Sequence, residues 1–324
     1  MKALVTGANG FIGSHLVERL LAQGAEVRCL VRKTSNLRWL QGLDVQLTYG
    51  SLDSPASLQG ALEGVDVVFH LAGATKSLTP EGYFVANTQG TARLLDACRE
   101  RGNPRVVFVS SQAAAGPSDG QRAKTEYDPP TPITAYGKSK LQAELLVQEY
   151  AKTGPAVIVR PPVVYGPRDT DVLALFRLAA RGLCPLVGSK RRLVSLIHVQ
   201  DLVEGLLLAA TTPQALGKTY FLCNDQPVDW ELFAQQIASV LGKRCVRIRV
   251  PEVVLPVVGT VSELMARVGG KPALLSRDKV REMRQRYWVC DNTRAKQDLG
   301  FAPRVDVAEG VAQTAAWYRA QGWL

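Results

Sequence analysis

The chain of 324 residues is 46% apolar and 21% charged, with 39 Lys and Arg against 29 Asp and Glu and a formal net charge of +10. That length suits one large or two modest domains with a real core, and Leu, Val and Ala spread along the whole chain exclude a disordered or low-complexity protein. The longest apolar stretches, Val203–Ala210 and Val250–Val261, are broken by Glu204 or by Pro251, Glu252 and Pro256, short of the roughly 20 residues that cross a bilayer, so no spanning helix is expected.

Met1 to Gly7 leaves no room for the apolar core of a secretory signal, and a cytoplasmic protein is expected. Six cysteines (Cys29, Cys98, Cys184, Cys223, Cys245, Cys290) at wide spacings, with three histidines (His15, His70, His198), predict reduced, mostly buried thiols and no metal site.

In chain order, strands are predicted at Lys2–Thr6, Glu26–Val31, Val45–Tyr49, Val67–His70, Val106–Ser110 and Ala156–Arg160. Helical spacing of apolar residues runs through Phe11–Ala22, Leu58–Leu62, Tyr83–Cys98 and Ala135–Tyr150 between them. The alternation predicts βαβ units and an α/β fold with a doubly wound parallel sheet over residues 1–167. Near-continuous apolar strands such as Val106–Val109 imply burial on both faces. Beyond Pro167, helices near Val172–Arg181, Val199–Thr211, Trp230–Leu241 and Val305–Arg319 are separated by basic, Pro-containing segments. Residues 168–324 therefore read as a smaller mixed lobe on the substrate side of a cleft, with 199–223 returning to the first domain and Lys218–Leu222 joining its sheet.

Thr6-Gly7-Ala8-Asn9-Gly10-Phe11-Ile12-Gly13 stands between the first strand and the first helix. Gly7 permits the tight turn, Gly10 lets backbone amides approach a diphosphate, and Gly13 allows close helix packing. The helix N-terminus then faces the anion, and Asn9, Phe11 and Ile12 complete the cradle of a Rossmann dinucleotide site. Arg32 and Lys33 follow the second strand, where an acidic residue would bond the ribose 2′-hydroxyl of NAD and an arginine accommodates the 2′-phosphate of NADP. NADP is the expected cofactor and NAD the alternative, since two solvated cations can also begin a loop.

Tyr136 and Lys140, four apart in a helix-forming run, project from one face. The fifth strand ends in Ser110-Ser111 at the carboxyl edge, where ligands bind in such sheets. Together with Thr6–Gly13, His70–Gly73, Asn87, Gly90-Thr91, Arg160–Pro167 and His198–Leu202, these residues resemble the extended short-chain dehydrogenase/reductases, or NAD-dependent epimerase/dehydratase family, over almost the entire chain.

The resemblance implies that Ser111 hydrogen-bonds the substrate oxygen and that Tyr136 is the general acid/base. It also implies that Lys140 binds the nicotinamide ribose and that its cation, together with the positive nicotinamide, lowers the phenol from its usual value near 10. Leu71, Ala72, Gly73 and Asn87 resemble cofactor contacts, and Pro161 to Val164 the segment bordering the nicotinamide. The family often has Gly-Asp-Leu after the third strand; here Gly50-Ser51-Leu52-Asp53 leaves Leu52 and Asp53 as the cofactor contacts. His70 reads as a satisfied buried histidine, and His198 with Asp201 as a cap of the following helix.

Nucleotide-sugar enzymes of the family often carry Asn shortly after the arginine that ends the sixth strand, where this chain has Pro161, Pro162 and Val163. The Arg160-Pro-Pro and Leu193–His198 segments look closer to the branch of dihydroflavonol reductases and 3β-hydroxysteroid dehydrogenases. The implied activity is NADP-dependent hydride transfer to or from a ketone, aldehyde or secondary alcohol of a largely apolar small molecule. An NAD-dependent nucleotide-sugar epimerase or dehydratase and a non-catalytic NADP-binding subunit are the alternatives. Apolar Val250–Met265 would line the cleft or fill the core of the lobe. Two basic runs, Arg177 to Arg192 and Lys243 to Arg249, read as solvated faces, or as contacts to an anionic substrate or a membrane surface. No nucleic-acid-binding module is recognised, and a homodimer follows the family habit.

Overall fold

In the computed structural model, which describes residues 1–269, 273 and 275–324, strands and helices alternate through the first half of the chain. The order is β1 (Lys2–Thr6), α1 (Phe11–Ala22), β2 (Glu26–Val31), β3 (Gln46–Tyr49), α2 (Pro55–Ala61), β4 (Val67–His70), α3 (Pro80–Tyr83), a π-helical segment Phe84–Gln89 and α4 (Gly90–Glu100). Then come β5 (Arg105–Val109), α5 (Gln112–Ala115), α6 (Ala135–Tyr150) and β6 (Ala156–Arg160). The second half adds β7 (Val163–Tyr165), α7 (Leu173–Ala180), β8 (Leu183–Val187), β9 (Leu193–Val194), β10 (Leu196–His198), α8 (Val199–Thr211), β11 (Thr219–Phe221) and β12 (Val228–Asp229). It closes with α9 (Trp230–Val240), β13 (Val246–Val250), α10 (Leu255–Gly269), α11 (Arg277–Arg284), β14 (Tyr287–Trp288), α12 (Thr293–Leu299) and α13 (Val307–Ala320).

Seven parallel strands form the central sheet in the order β11-β6-β5-β4-β1-β2-β3. The strand order reverses between β1 and β4, so their carboxyl ends diverge and leave a crevice for a ligand. Two apolar layers bury the sheet. One packs Leu16, Leu20, Leu202 and Leu206 of α1 and α8 against Val5, Val107 and Val159. The other packs Leu58, Leu94, Val147 and Tyr150 against Leu4, Val68 and Phe108. A separate cluster around Phe176, Phe233 and Tyr318 holds α7, α9 and α13 together in the second half of the chain.

Several elements differ from the sequence reading. The predicted helix over Tyr83–Cys98 is three pieces, because Thr79 and Pro80 start a helix earlier and the π-helical segment turns Asn87 inward. Ser54 caps α2 and Pro55 opens it, a start signal that the apolar spacing alone placed later. His198 stands at the start of α8 but makes no side-chain cap; Asp201 instead accepts the backbone N–H groups of Arg304 and Val305, each at 3.0 Å. Ala295, Leu299 and Phe301, from α12 and just after it, join the layer beside α8. Cys29, Cys98, Cys223 and Cys290 are free and buried. Cys184 and Cys245, predicted to be reduced, are paired as a disulfide with Cα atoms 5.8 Å apart, because β8 and β13 run side by side. Val253 is 81% exposed and Met265 71%, so within the Val250–Met265 stretch Leu255 is buried while most of the apolar side chains do not fill a core.

Candidate active site

Gly7 has φ +74°, a conformation open to glycine, and a side chain there would meet the Ala72 backbone nitrogen at 2.9 Å. A side chain on Gly13 would stand 2.1 Å from the Gly7 carbonyl oxygen. The turn therefore closes against both the start of α1 and the loop after β4. No side chain caps α1 and no acidic residue lies in its first turn, so the N–H groups at that end lack an intrahelical partner and suit an anion. The Asn9 side chain donates to the Asn36 carbonyl, tying the turn to the loop after β2. Arg32 and Lys33 lie exposed where that loop begins. The cradle and the bare helix end fit a dinucleotide diphosphate.

The Thr6 hydroxyl holds the loop after β4, accepting from Ala72 N at 3.2 Å and meeting His70 Nδ1 at 2.7 Å. Thr91 gives its own proton to the Asn87 carbonyl, so His70 Nε2, 3.0 Å from Thr91 Oγ1, is the donor there. His70 is thus a neutral, fully bonded histidine, pushed down to about 3 by burial and by Lys140 nearby. This is the structural role expected of it.

Asn87, expected to touch the cofactor, uses its amide inside the protein. Its Oδ1 accepts from Ala74 N at 2.7 Å, while its Nδ2 donates to Ala74 O and to Ser139 Oγ. It clamps the Leu71–Ala74 loop to the helix that carries Tyr136. Leu52 packs close to Gly90, and the Asp53 carboxylate is taken by Arg93. The Asp53 side chain stays 70% exposed in that pair.

Ser111 lies two residues beyond β5 and caps α5, its hydroxyl accepting from Ala113 N at 3.1 Å. Thr134 caps α6 through Gly137 N at 3.0 Å, and α6 packs along α5. The Tyr136 phenol is consequently a neighbour of the Ser111 hydroxyl. Burial pushes Tyr136 up to about 12, and the bond to Ser111 opposes the rise. Lys140 Nζ donates to the Val109 carbonyl at 2.7 Å and lies 4.2 Å from the centre of the Phe108 ring. Burial holds it down to about 7, with Glu144 opposing. In the chain alone, then, desolvation dominates the phenol. Pro161 lends its carbonyl to Gln112 N at 2.8 Å, joining the segment before Val164 to the serine turn.

Three supporting features went unread in the sequence. Glu144 and Arg160 form a buried bidentate pair, Nε–Oε1 2.9 Å and Nη2–Oε2 2.6 Å, with Ser110 Oγ also donating to the carboxylate. The available signal was Glu144 standing four residues after Lys140 on the inward face of α6. Tyr83 sets its ring 5.9 Å from that of Tyr136. Asp278 of α11 accepts from Ala135 N at 2.6 Å, placing an acidic group at the start of the Tyr136 helix, where the helix dipole favours it.

The chain matches the NAD dependent epimerase/dehydratase family over residues 3–223. It is 32% identical over 323 residues to the ceramide reductase of Caulobacter vibrioides, covering 99% of this chain and 95% of that protein. It is 29% identical over 335 residues to the 2-alkyl-3-oxoalkanoate reductase of Shewanella oneidensis, covering 97% of this chain and 85% of that protein. Among solved structures, MoeE5 in complex with UDP-glucuronic acid and NAD superimposes with a TM-score of 0.79 at 28% identity, covering 99% of this chain and 100% of that one. No helix among the described residues is long and apolar enough to cross a membrane. The glycine turn, the serine, tyrosine and lysine at the sheet edge, and this likeness along nearly the whole chain lead to one assignment: the protein belongs to the NAD dependent epimerase/dehydratase family, and is an NAD(P)-dependent enzyme of the extended short-chain dehydrogenase/reductase type.

Proposed function

We propose that the enzyme uses NADP(H) to interconvert a ketone or aldehyde and the corresponding alcohol on a largely apolar molecule, with Tyr136 as the general acid/base. The observation that carries this reading is the approach of the Ser111 and Tyr136 hydroxyls at the carboxyl edge of the sheet, with Lys140 one turn further along α6.

The dinucleotide, when bound, supplies or accepts the hydride. The amides of the glycine turn and of the first turn of α1 hold its diphosphate, while Arg32 and Lys33 accept the 2′-phosphate. Ser111 hydrogen-bonds the substrate oxygen and orients the carbonyl. Tyr136, pushed up to about 12, is protonated at neutral pH and so is ready to donate its proton to that oxygen during reduction. In the oxidative direction it must lose the proton, and the Lys140 ammonium assists by favouring the phenolate.

The apolar substrate is supported by the Pro161-Pro162-Val163 run, whose Val163 is 37% exposed, and by likeness to a ceramide reductase. Purified protein should oxidise NADPH with some member of a panel of lipophilic carbonyl compounds, followed by loss of reduced-nicotinamide absorbance. Tyr136→Phe should lower turnover by about 10²- to 10⁴-fold while leaving dinucleotide binding intact. A fully active Phe variant would remove Tyr136 from the mechanism.

A second reading, a nucleotide-sugar epimerase or dehydratase, is favoured by the likeness to MoeE5 in complex with UDP-glucuronic acid and NAD. Conversion of a nucleotide sugar without net consumption of cofactor would establish it in place of the first.

A further inference from the structure

Eighteen large apolar side chains are exposed among the described residues, and nine of them lie between Val246 and Met265. They begin with Val246 and Ile248 on β13, continue through Val253 and Val254 in the following turn, and end with Val257, Val258, Val261, Leu264 and Met265 on α10. The α10 positions recur at helical spacing and share one face. On the opposite side of the same helix Leu255 is buried, and Gly259 lies against the buried Val280 of α11. α10 is thus seated by one stripe and presents the other outward. α11 in turn reaches the start of the Tyr136 helix through Asp278 and Ala135 N, so the exposed stripe stands one helix away from the candidate active site.

The stretch of sequence that holds this face is strongly basic. Residues 243–286 hold eleven Lys and Arg against four Asp and Glu, a surplus that accounts for most of the net charge of the chain. Arg277, Lys279 and Arg281 remain more than half exposed beside their acidic neighbours, while Arg247 and Arg249 of β13 pair with Glu231.

We propose that the β13–α10 face docks the enzyme on an anionic phospholipid bilayer. Apolar side chains on one face of a helix enter the boundary between headgroups and acyl chains, and neighbouring cations gain from the negative surface. A second copy is the poorer occupant, because a two-fold contact through this face would set one cationic surplus against another. The docking does not depend on the hydride-transfer reading, since it is scored without turnover.

The test is co-sedimentation of the full chain with vesicles of phosphatidylcholine alone, or with about one-third phosphatidylglycerol. Binding is expected to the anionic vesicles and to weaken with added salt. The combined substitution Val257→Ser, Val261→Ser, Leu264→Ser and Met265→Ser should reduce it about tenfold or more. Dinucleotide binding should survive, because these side chains are exposed and lie outside the cradle. Should the combined variant fold poorly, Val261→Asp alone is expected to act in the same direction. Three results each overturn the proposal: no binding to anionic vesicles, binding indifferent to the substitutions in a folded variant, or a dimer in solution that these substitutions split while vesicles remain unbound.

Discussion

Glu144 and Arg160 meet bidentately in the interior, the carboxylate fully buried and the guanidinium 5% exposed. Their contact pins α6, which carries Tyr136 and Lys140, to the end of β6, and the added bond from Ser110 fixes the adjoining serine turn. Removing one partner strands a charge in a low-dielectric site, which costs about 3–5 kcal/mol. Glu144→Ala should therefore lower the denaturant midpoint sharply, whereas replacing both residues with apolar ones of similar volume should recover part of the loss. A single variant as stable as the wild type would show that the pair is not holding the site together.

Lys140 links pH to stability. Burial lowers it to about 7 from the ordinary 10.5, although Glu144 pulls the other way. Between those two values the unfolded chain binds a proton at this amine that the folded chain does not, so the Lys140 contribution makes stability rise with pH. Below the lower value both states are charged and the penalty of burying the cation is fully present; above the upper value it is gone. Lys140→Met abolishes this contribution. Its stability relative to wild type should be most favourable near pH 7 and fall steadily toward pH 10.5, as read from denaturation midpoints. A difference between the two proteins that does not change with pH would contradict the assignment.

Cofactor choice is expected to rest on Arg32, exposed at the end of β2. A hydrogen bond to a charged group contributes about 1.5–3 kcal/mol, so Arg32→Ala should weaken NADPH binding roughly ten- to a hundredfold while NADH binding changes little. Fluorescence titration of both nucleotides gives the ratio. Equal losses for the two would mean that Arg32 does not meet the 2′-phosphate.

The glycine turn, the six strands from β1 to β6 and the Tyr136–Lys140 face were legible before any tertiary contact was known. Gly7 and Gly13 answer to local backbone sterics, and β4, β5 and β6 betray themselves by near-continuous apolar runs. Asn87 shows what residue identity leaves open: an amide beside a cofactor loop reads the same whether it faces a ligand or, as its side chain does here, bonds to Ala74 and Ser139. Asp201 was misread as a cap because the N–H groups that donate to it, those of Arg304 and Val305, lie more than a hundred residues away.

By itself, then, the sequence determined the order of elements, the dinucleotide turn and the spacing of the tyrosine and lysine, because each is encoded in periods and steric demands within a few residues. Only the tertiary structure decided which buried charges are neutralised, that desolvation raises Tyr136, and that one stripe of α10 remains uncovered. Those outcomes depend on what distant segments bring alongside a group, and on how much water they displace.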